Sequence, residues 1–100
     1  MKVSFDFDKT LEKKNIQSIA EAHIKSGDEV FIITRRCPDE NKEPLEVGDK
    51  LGIPHDHILF TCGEWKWKLI GDLGIDTHYD DKLIEIVLIE RKTKTKGILI

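Results

Sequence analysis

Apolar residues along the chain repeat with two periods that take turns. Lys2 to Asp6 is an apolar run that predicts a buried strand. Ile16, Ile19, Ala20 and Ile24 fall on one helical face, with Asn15 placed as its N-cap and Gly27 as its C-cap. The β-branched run "EVFIIT", Glu29 to Thr34, predicts a second strand. Pro44 to Lys50 is expected to form a short helix closed by Gly52, weakened by Gly48 in its interior. Pro54 punctuates, and "HILFT", His57 to Thr61, predicts a third strand. Trp65, Leu69 and Leu73 recur every four residues, with Ile70 beside them and Gly74 as C-cap, so a helix follows. "IDTHY", Ile75 to Tyr79, is a fourth strand. Leu83 to Arg91 fits two readings: it is β-branched enough for a strand, while Leu83, Ile86, Val87 and Glu90 share a helical face. The closing "GILI" is a last strand.

Strands alternating with helices at this spacing predict βαβ units, hence a parallel sheet with right-handed crossovers. Ligands of such sheets bind beyond the carboxyl ends of the strands. Asp6, Thr34, Asp80 and Asp81 all stand at predicted strand ends, so they should gather along one edge. The chain of 100 residues is read as a single domain, 1–100, with no internal repeat or low-complexity tract.

Composition narrows the classes. With 39% hydrophobic and 35% charged residues the chain reads as an ordinary globular protein. A net charge of -3 argues against wholesale nucleic-acid wrapping and leaves room for local basic patches such as "RKTKTK", Arg91 to Lys96. No secretion signal and no apolar run of membrane-spanning length are visible. Cys37 and Cys62 lack C-x-x-C spacing and are read as free thiols of a reducing, cytoplasmic compartment.

The stretch "VSFDFDKTL", Val3 to Leu11, carries the chemistry. It sets Asp6 and Asp8 one residue apart at a strand end, and Asp80 and Asp81 are expected on the same edge. Such carboxylates repel unless a proton or a cation neutralises them. An all-oxygen donor set suits a hard divalent ion, above all Mg²⁺, which also takes phosphate oxygens. A carboxylate beside such an ion and a phosphate can act as nucleophile, with a hydroxyl and an ammonium stabilising the charge that develops. Thr34 can supply the hydroxyl, and Lys66 or Lys68 the ammonium.

These residues resemble the haloacid dehalogenase-like (HAD) superfamily of phosphotransferases. "DFDKT" matches the first motif, "FIIT" ending at Thr34 the second, Lys66 the third and "HYDD" the fourth, in the family's order from Val3 to Asp81. The fourteen positions from Lys66 to Asp80 fit the family spacing better than a count from Lys68. The resemblance implies an α/β, three-layer Rossmann-like parallel sheet of about five strands. It implies a phosphatase in which Asp6 is the nucleophile and forms an aspartyl-phosphate. Asp8 would protonate the leaving group and then activate water, with its pKa raised toward that use. Asp6, the carbonyl of Asp8 and Asp81 would hold Mg²⁺, with Asp80 acting directly or through a water. Thr34 would bond a phosphoryl oxygen, and Thr10 would brace the loop.

The chain departs from the family in two respects. Lys9 stands where Gly is commonest, and is open to solvent or substrate. Only eight residues, Phe7 to Lys14, follow Asp6 before the first helix, so no cap domain fits and the site should be open. An open site suits a large phosphorylated substrate such as a nucleic-acid end, toward which Arg91 to Lys96 and Lys9, Lys13 and Lys14 tilt the reading. The alternatives are a small-metabolite or nucleotide phosphatase working as a homo-oligomer, and a catalytically weak phosphate-binding module. No membrane partner is expected, and the state, monomer or small homo-oligomer, is left open. Arg35 and Arg36 follow Thr34 at the rim and are candidate substrate contacts, while Trp65 and Trp67 are read as one core and one partly exposed ring. His55, His57 and His78 are read as structural rather than catalytic or metal-binding.

Overall fold

The two alternating periods become five strands and four α-helices in a computed structural model that describes residues 1–100. The strands are β1 (Lys2–Phe5), β2 (Glu29–Thr34), β3 (Ile58–Phe60), β4 (Thr77–Asp80) and β5 (Lys96–Leu99). They pair in parallel in the order β3-β2-β1-β4-β5. The crossovers run through α1 (Lys14–Lys25), α2 (Lys42–Leu51), α3 (Trp67–Leu73) and α4 (Leu83–Lys92). The chain after β3 crosses behind β2 and β1 to reach β4, so the strand order reverses between β1 and β4. A crevice opens at such a reversal, beyond the carboxyl ends of the two strands.

Both faces of the sheet are covered, which is why its central strands read as unbroken apolar runs. Val30 and Ile32 point to one face and pack with Val3, Phe5, Ile16, Ala20 and Leu51. Phe31 and Ile33 point to the other and pack with Ile70, Ile75 and Ile89. The first cluster lies under α1 and α2, the second under α3 and α4, giving a three-layer Rossmann-like α/β fold.

Several elements differ from expectation for identifiable reasons. The first helix begins at Lys14 behind an extended Lys13, so Asn15 lies in its first turn and caps nothing. Gly48 lies where α2 crosses β3: a Cβ there would stand 2.5 Å from Cδ1 of Ile58, the end of a side chain that would have to turn aside. Leu83–Lys92 is a helix because Ile86 and Ile89 bury one face against the sheet, overriding a β-branched composition. That burial leaves Leu83 and Ile84 exposed. Trp65 precedes α3 and is exposed, while Trp67 is half-buried against the second core cluster.

One expectation is overturned. Cys37 and Cys62 form a disulfide and are not free thiols. They are 25 residues apart in sequence, but each follows the end of one of two adjacent parallel strands, β2 and β3, so the sheet brings them together. The ground for expecting a reducing, cytoplasmic compartment goes with them. No helix is long and apolar enough to cross a membrane.

Candidate active site

Asp6 is the first residue past β1, and its amide still donates to the carbonyl of Tyr79 across the reversal point, at 2.9 Å. The chain then leaves the sheet in a tight loop over Phe7–Leu11. Lys9 makes that turn with φ of 60°, in the left-handed region where glycine is at ease. The loop closes on Asp6, whose carbonyl accepts from the Leu11 amide at 3.1 Å. Thr10 is buried and donates to Asp6 Oδ2 at 3.3 Å, so it braces the loop through the carboxylate.

Lys66, not Lys68, enters the site. It precedes α3, is 1% exposed, and its Nζ donates to Asp6 Oδ1 at 2.7 Å and to Asp80 Oδ2 at 2.8 Å. Its backbone amide donates to Oε1 of the buried Glu85 at 3.2 Å. Asp80 is further held by His78 Nε2 at 2.9 Å and by the Lys82 amide on Oδ1 at 3.1 Å. His78 Nδ1 lies 2.6 Å from Ser4 Oγ, in a pair of residues facing each other across β1 and β4. If His78 Nε2 carries the proton that Asp80 accepts, Nδ1 is left to accept from Ser4, which fixes a neutral tautomer.

The electrostatics follow from burial. Burial opposes the charge on Asp80, but the hydrogen bonds from His78 and Lys66 outweigh it and hold the carboxyl well below the usual range. Burial likewise keeps His78 neutral. Burial would lower Lys66, but Asp6 and Asp80 beside it raise it. Asp6 goes the other way: burial pushes it up to about 7, opposed by Lys66 and reinforced by the charge of Asp80 and the neighbouring Asp81 side chain. Burial also raises Glu85, whose second oxygen has no partner.

Asp81 Oδ1 is likewise buried without a partner. Carboxylate oxygens of Asp6, Asp80 and Asp81 lie within 4.8 Å of one another. When all three are ionised, three carboxylates share one buried ammonium, an excess of two negative charges among the clustered groups. An all-oxygen cluster with that excess and one idle buried oxygen fits a hard divalent cation. Asp80 has both oxygens engaged by Lys66, His78 and the Lys82 amide, so Asp81 is the freer ligand of the pair.

The cluster opens into a pocket of about 210 Å³ lined by no hydrophobic residue, where Asp8, Lys9, Thr34, Arg35 and Lys82 join Asp6, Lys66 and Asp81. Thr34 is fully buried at the pocket floor, and its hydroxyl accepts the Arg36 amide at 3.2 Å. Arg36 itself turns away. Its guanidinium clasps both oxygens of Asp8, with Nη2 to Oδ1 at 2.8 Å and Nε to Oδ2 at 3.0 Å, and reaches Glu43 at 2.7 Å. The clasp corrects an expectation: Asp8 is held below its usual range by these hydrogen bonds, not raised.

No protein-family model and no curated protein matches this chain. The sequence reading had missed four partners: Ser4, Glu85, Lys82, and Arg36 in the part it takes. The first two left a trace, as buried polar residues interrupting apolar runs, but only strand and helix register shows what they meet. His55 and His57 lie outside the site, the first paired with the exposed Asp49 and the second stacked on Phe31.

Proposed function

We propose that the chain is a Mg²⁺-dependent phosphoric monoester hydrolase of the HAD type, working through a phosphoryl group carried on Asp6. The observation that supports this best is the buried imbalance of charge: Asp6, Asp80 and Asp81 share one ammonium, and Asp81 Oδ1 has no partner. Asp6, Asp81 and the carbonyl of Asp8 are the residues that would hold the ion. When bound, Mg²⁺ would neutralise that excess and draw charge from a phosphate placed against it.

The residues then divide the work. Lys66, itself held by Asp80, orients Asp6 through Oδ1, and Thr10 does so through Oδ2, the longer and weaker bond, so Oδ2 is the oxygen that would attack phosphorus. The bond from phosphorus to the leaving oxygen breaks as the bond to Asp6 forms. Thr34, Lys66 and Arg35 stabilise charge on the remaining phosphoryl oxygens. Asp8 gives a proton to the leaving oxygen, then removes one from the water that hydrolyses the acyl phosphate. The Arg36 clasp favours the carboxylate, which is the form the second step needs. The first step is therefore fastest for leaving groups that need no proton, and alkyl substrates require Arg36 to release Asp8. A substrate phosphate is itself a competing partner for that guanidinium.

Quenched-flow mass spectrometry with an aryl phosphate tests the reading. Asp8→Asn keeps the nucleophile and loses the base, so one phosphoryl mass should accumulate on Asp6, while turnover falls by about 10²–10⁴. Asp6→Asn should carry none and be inactive. A label on another residue, or an active Asp6→Asn protein, overturns the reading.

A further inference from the structure

Two grooves outside the acidic pocket, of about 510 and 520 Å³, share Trp67, Lys68 and Asp72 and so form one trough along the outer side of α3. Trp65 lines one part and is 44% exposed, an unusual state for so large a ring. Lys92 and Lys94 line the other part. Each ring carries a cation: the Arg35 guanidinium stands 4.7 Å over Trp65, and Lys92 Nζ 4.8 Å over Trp67.

The trough and the active site have no lining residue in common, but Arg35 connects them. Arg35 both lines the Asp6 pocket and covers Trp65. Lys66, whose ammonium holds Asp6, lies in the chain between the two tryptophans. A molecule with its phosphate at Asp6 would leave the pocket past Arg35 and Trp65 and continue along Trp67 toward Lys92 and Lys94.

We propose that this trough binds single-stranded nucleic acid and leads a phosphorylated strand end to Asp6. The binding stands on the trough alone, and the delivery of the end rests on the phosphatase reading. Indoles that each carry a cation on one face offer a strand of flat bases joined by phosphates both its partners, the bases taking the ring surface that the cations leave open. Glu64, Asp72 and Asp76 also line the trough and balance Lys68, Lys92 and Lys94, so it carries no net positive charge. A bare polyanion would gain little there, and stacking must carry much of the affinity. The acids repel any polyanion alike, so it is the exposed indole that favours flat bases over a phosphopeptide.

The test is fluorescence anisotropy of a labelled, unphosphorylated oligothymidylate of roughly eight nucleotides, within the usual site sizes of single-strand binders. Wild-type protein should bind it saturably at low salt. Trp65→Ala should weaken binding about 5- to 150-fold, the range for loss of one stacked base, and Trp65→Phe should restore most of it. Melting curves confirm that both variants are folded. Joint replacement of Lys92 and Lys94 by Gln should reduce the slope of log K against log salt by about 1.4. Absence of saturable binding overturns the proposal. So does equal affinity in Trp65→Ala, in an abasic strand of the same length, or for a phosphopeptide. Wild-type turnover of an aryl phosphate, measured alongside, reports on the phosphatase reading alone, so the two fail separately.

Discussion

Replacing Lys66 by Met removes the ammonium and keeps the buried stem, so it isolates the charge. Lys66 is 1% exposed and is the one buried cation among Asp6, Asp80 and Asp81. Its loss takes the metal-free cluster from two uncompensated negative charges to three. Removing one partner of a buried ion pair costs about 3–5 kcal/mol, because the carboxylate left behind is neither solvated nor paired. An m-value of roughly 1–3 kcal/mol/M in urea turns that into a midpoint lower by about 1–5 M. Against a total stability of about 5–15 kcal/mol, the variant should be marginal at pH 8.

The cost should depend on pH, with a sign set by the shifted groups. Asp6 has a folded pKa of about 7, raised above its unfolded value. Its contribution to stability is therefore fully present at low pH and is lost as pH rises through 7. Without Lys66 the Asp6 carboxyl moves further up and that of Asp80 rises from its low position, so the variant loses more stability over the same rise. At pH 5 Asp6 is protonated in both proteins, and His78 still donates to Asp80. Urea denaturation of wild type and Lys66→Met at pH 5, 6, 7 and 8, all in a chelator, measures this. The gap between the proteins should widen with pH. A gap independent of pH would mean that packing, not charge, was lost, and a gap under about 1 kcal/mol at pH 8 would refute the buried-charge account.

Mg²⁺ at about 100 times its Kd should stabilise the wild type by about 2.7 kcal/mol and leave Asp81→Asn almost unmoved; equal stabilisation removes Asp81 from the ion's ligands. Because the ion must displace the proton that Asp6 holds up to about 7, calorimetric Mg²⁺ affinity should rise about tenfold from pH 6 to pH 8, and a flat profile contradicts that linkage. Cys37→Ser should cost about 3.5 kcal/mol from reopening a loop of 25 residues, read as a lower melting point that reductant no longer changes; a wild type that already titrates two thiols sinks the bond.

The positions of Asp6, Thr34, Asp80 and Asp81 were readable from the sequence because a parallel sheet needs only strand boundaries to say which residues share an edge. Each stands within a residue of an observed strand end, and an error of one at a boundary would have left them on that edge. The Arg36 clasp could not be read that way. Arg36 follows Thr34 as directly as Arg35 does, yet one guanidinium stays at the pocket and the other swings to Asp8, 28 residues away, and to Glu43 on α2. That choice belongs to long side chains and to where α2 docks, neither of which leaves a period in the sequence. The same holds for Cys37 and Cys62, whose meeting depends on β3 pairing with β2 and not with another strand.

The buried layer beneath the pocket was hidden for a different reason. Ser4 and His78 sit in strands whose register pairs them directly, Lys66 reaches between Asp6 and Asp80, and Glu85 fastens the Lys66 amide from α4. Each looks like a single polar defect in an apolar run, costly by about 1–3 kcal/mol if left alone. Only together do they cancel: a neutral His78 and a charged Lys66 satisfy Asp80, and that leaves Asp6 as the carboxylate with a surplus of negative neighbours. The fold thus concentrates its electrostatic imbalance on the residue that faces the pocket, at the strand reversal where a parallel sheet is open. A cation and a phosphate are the two species whose joint arrival would relieve it.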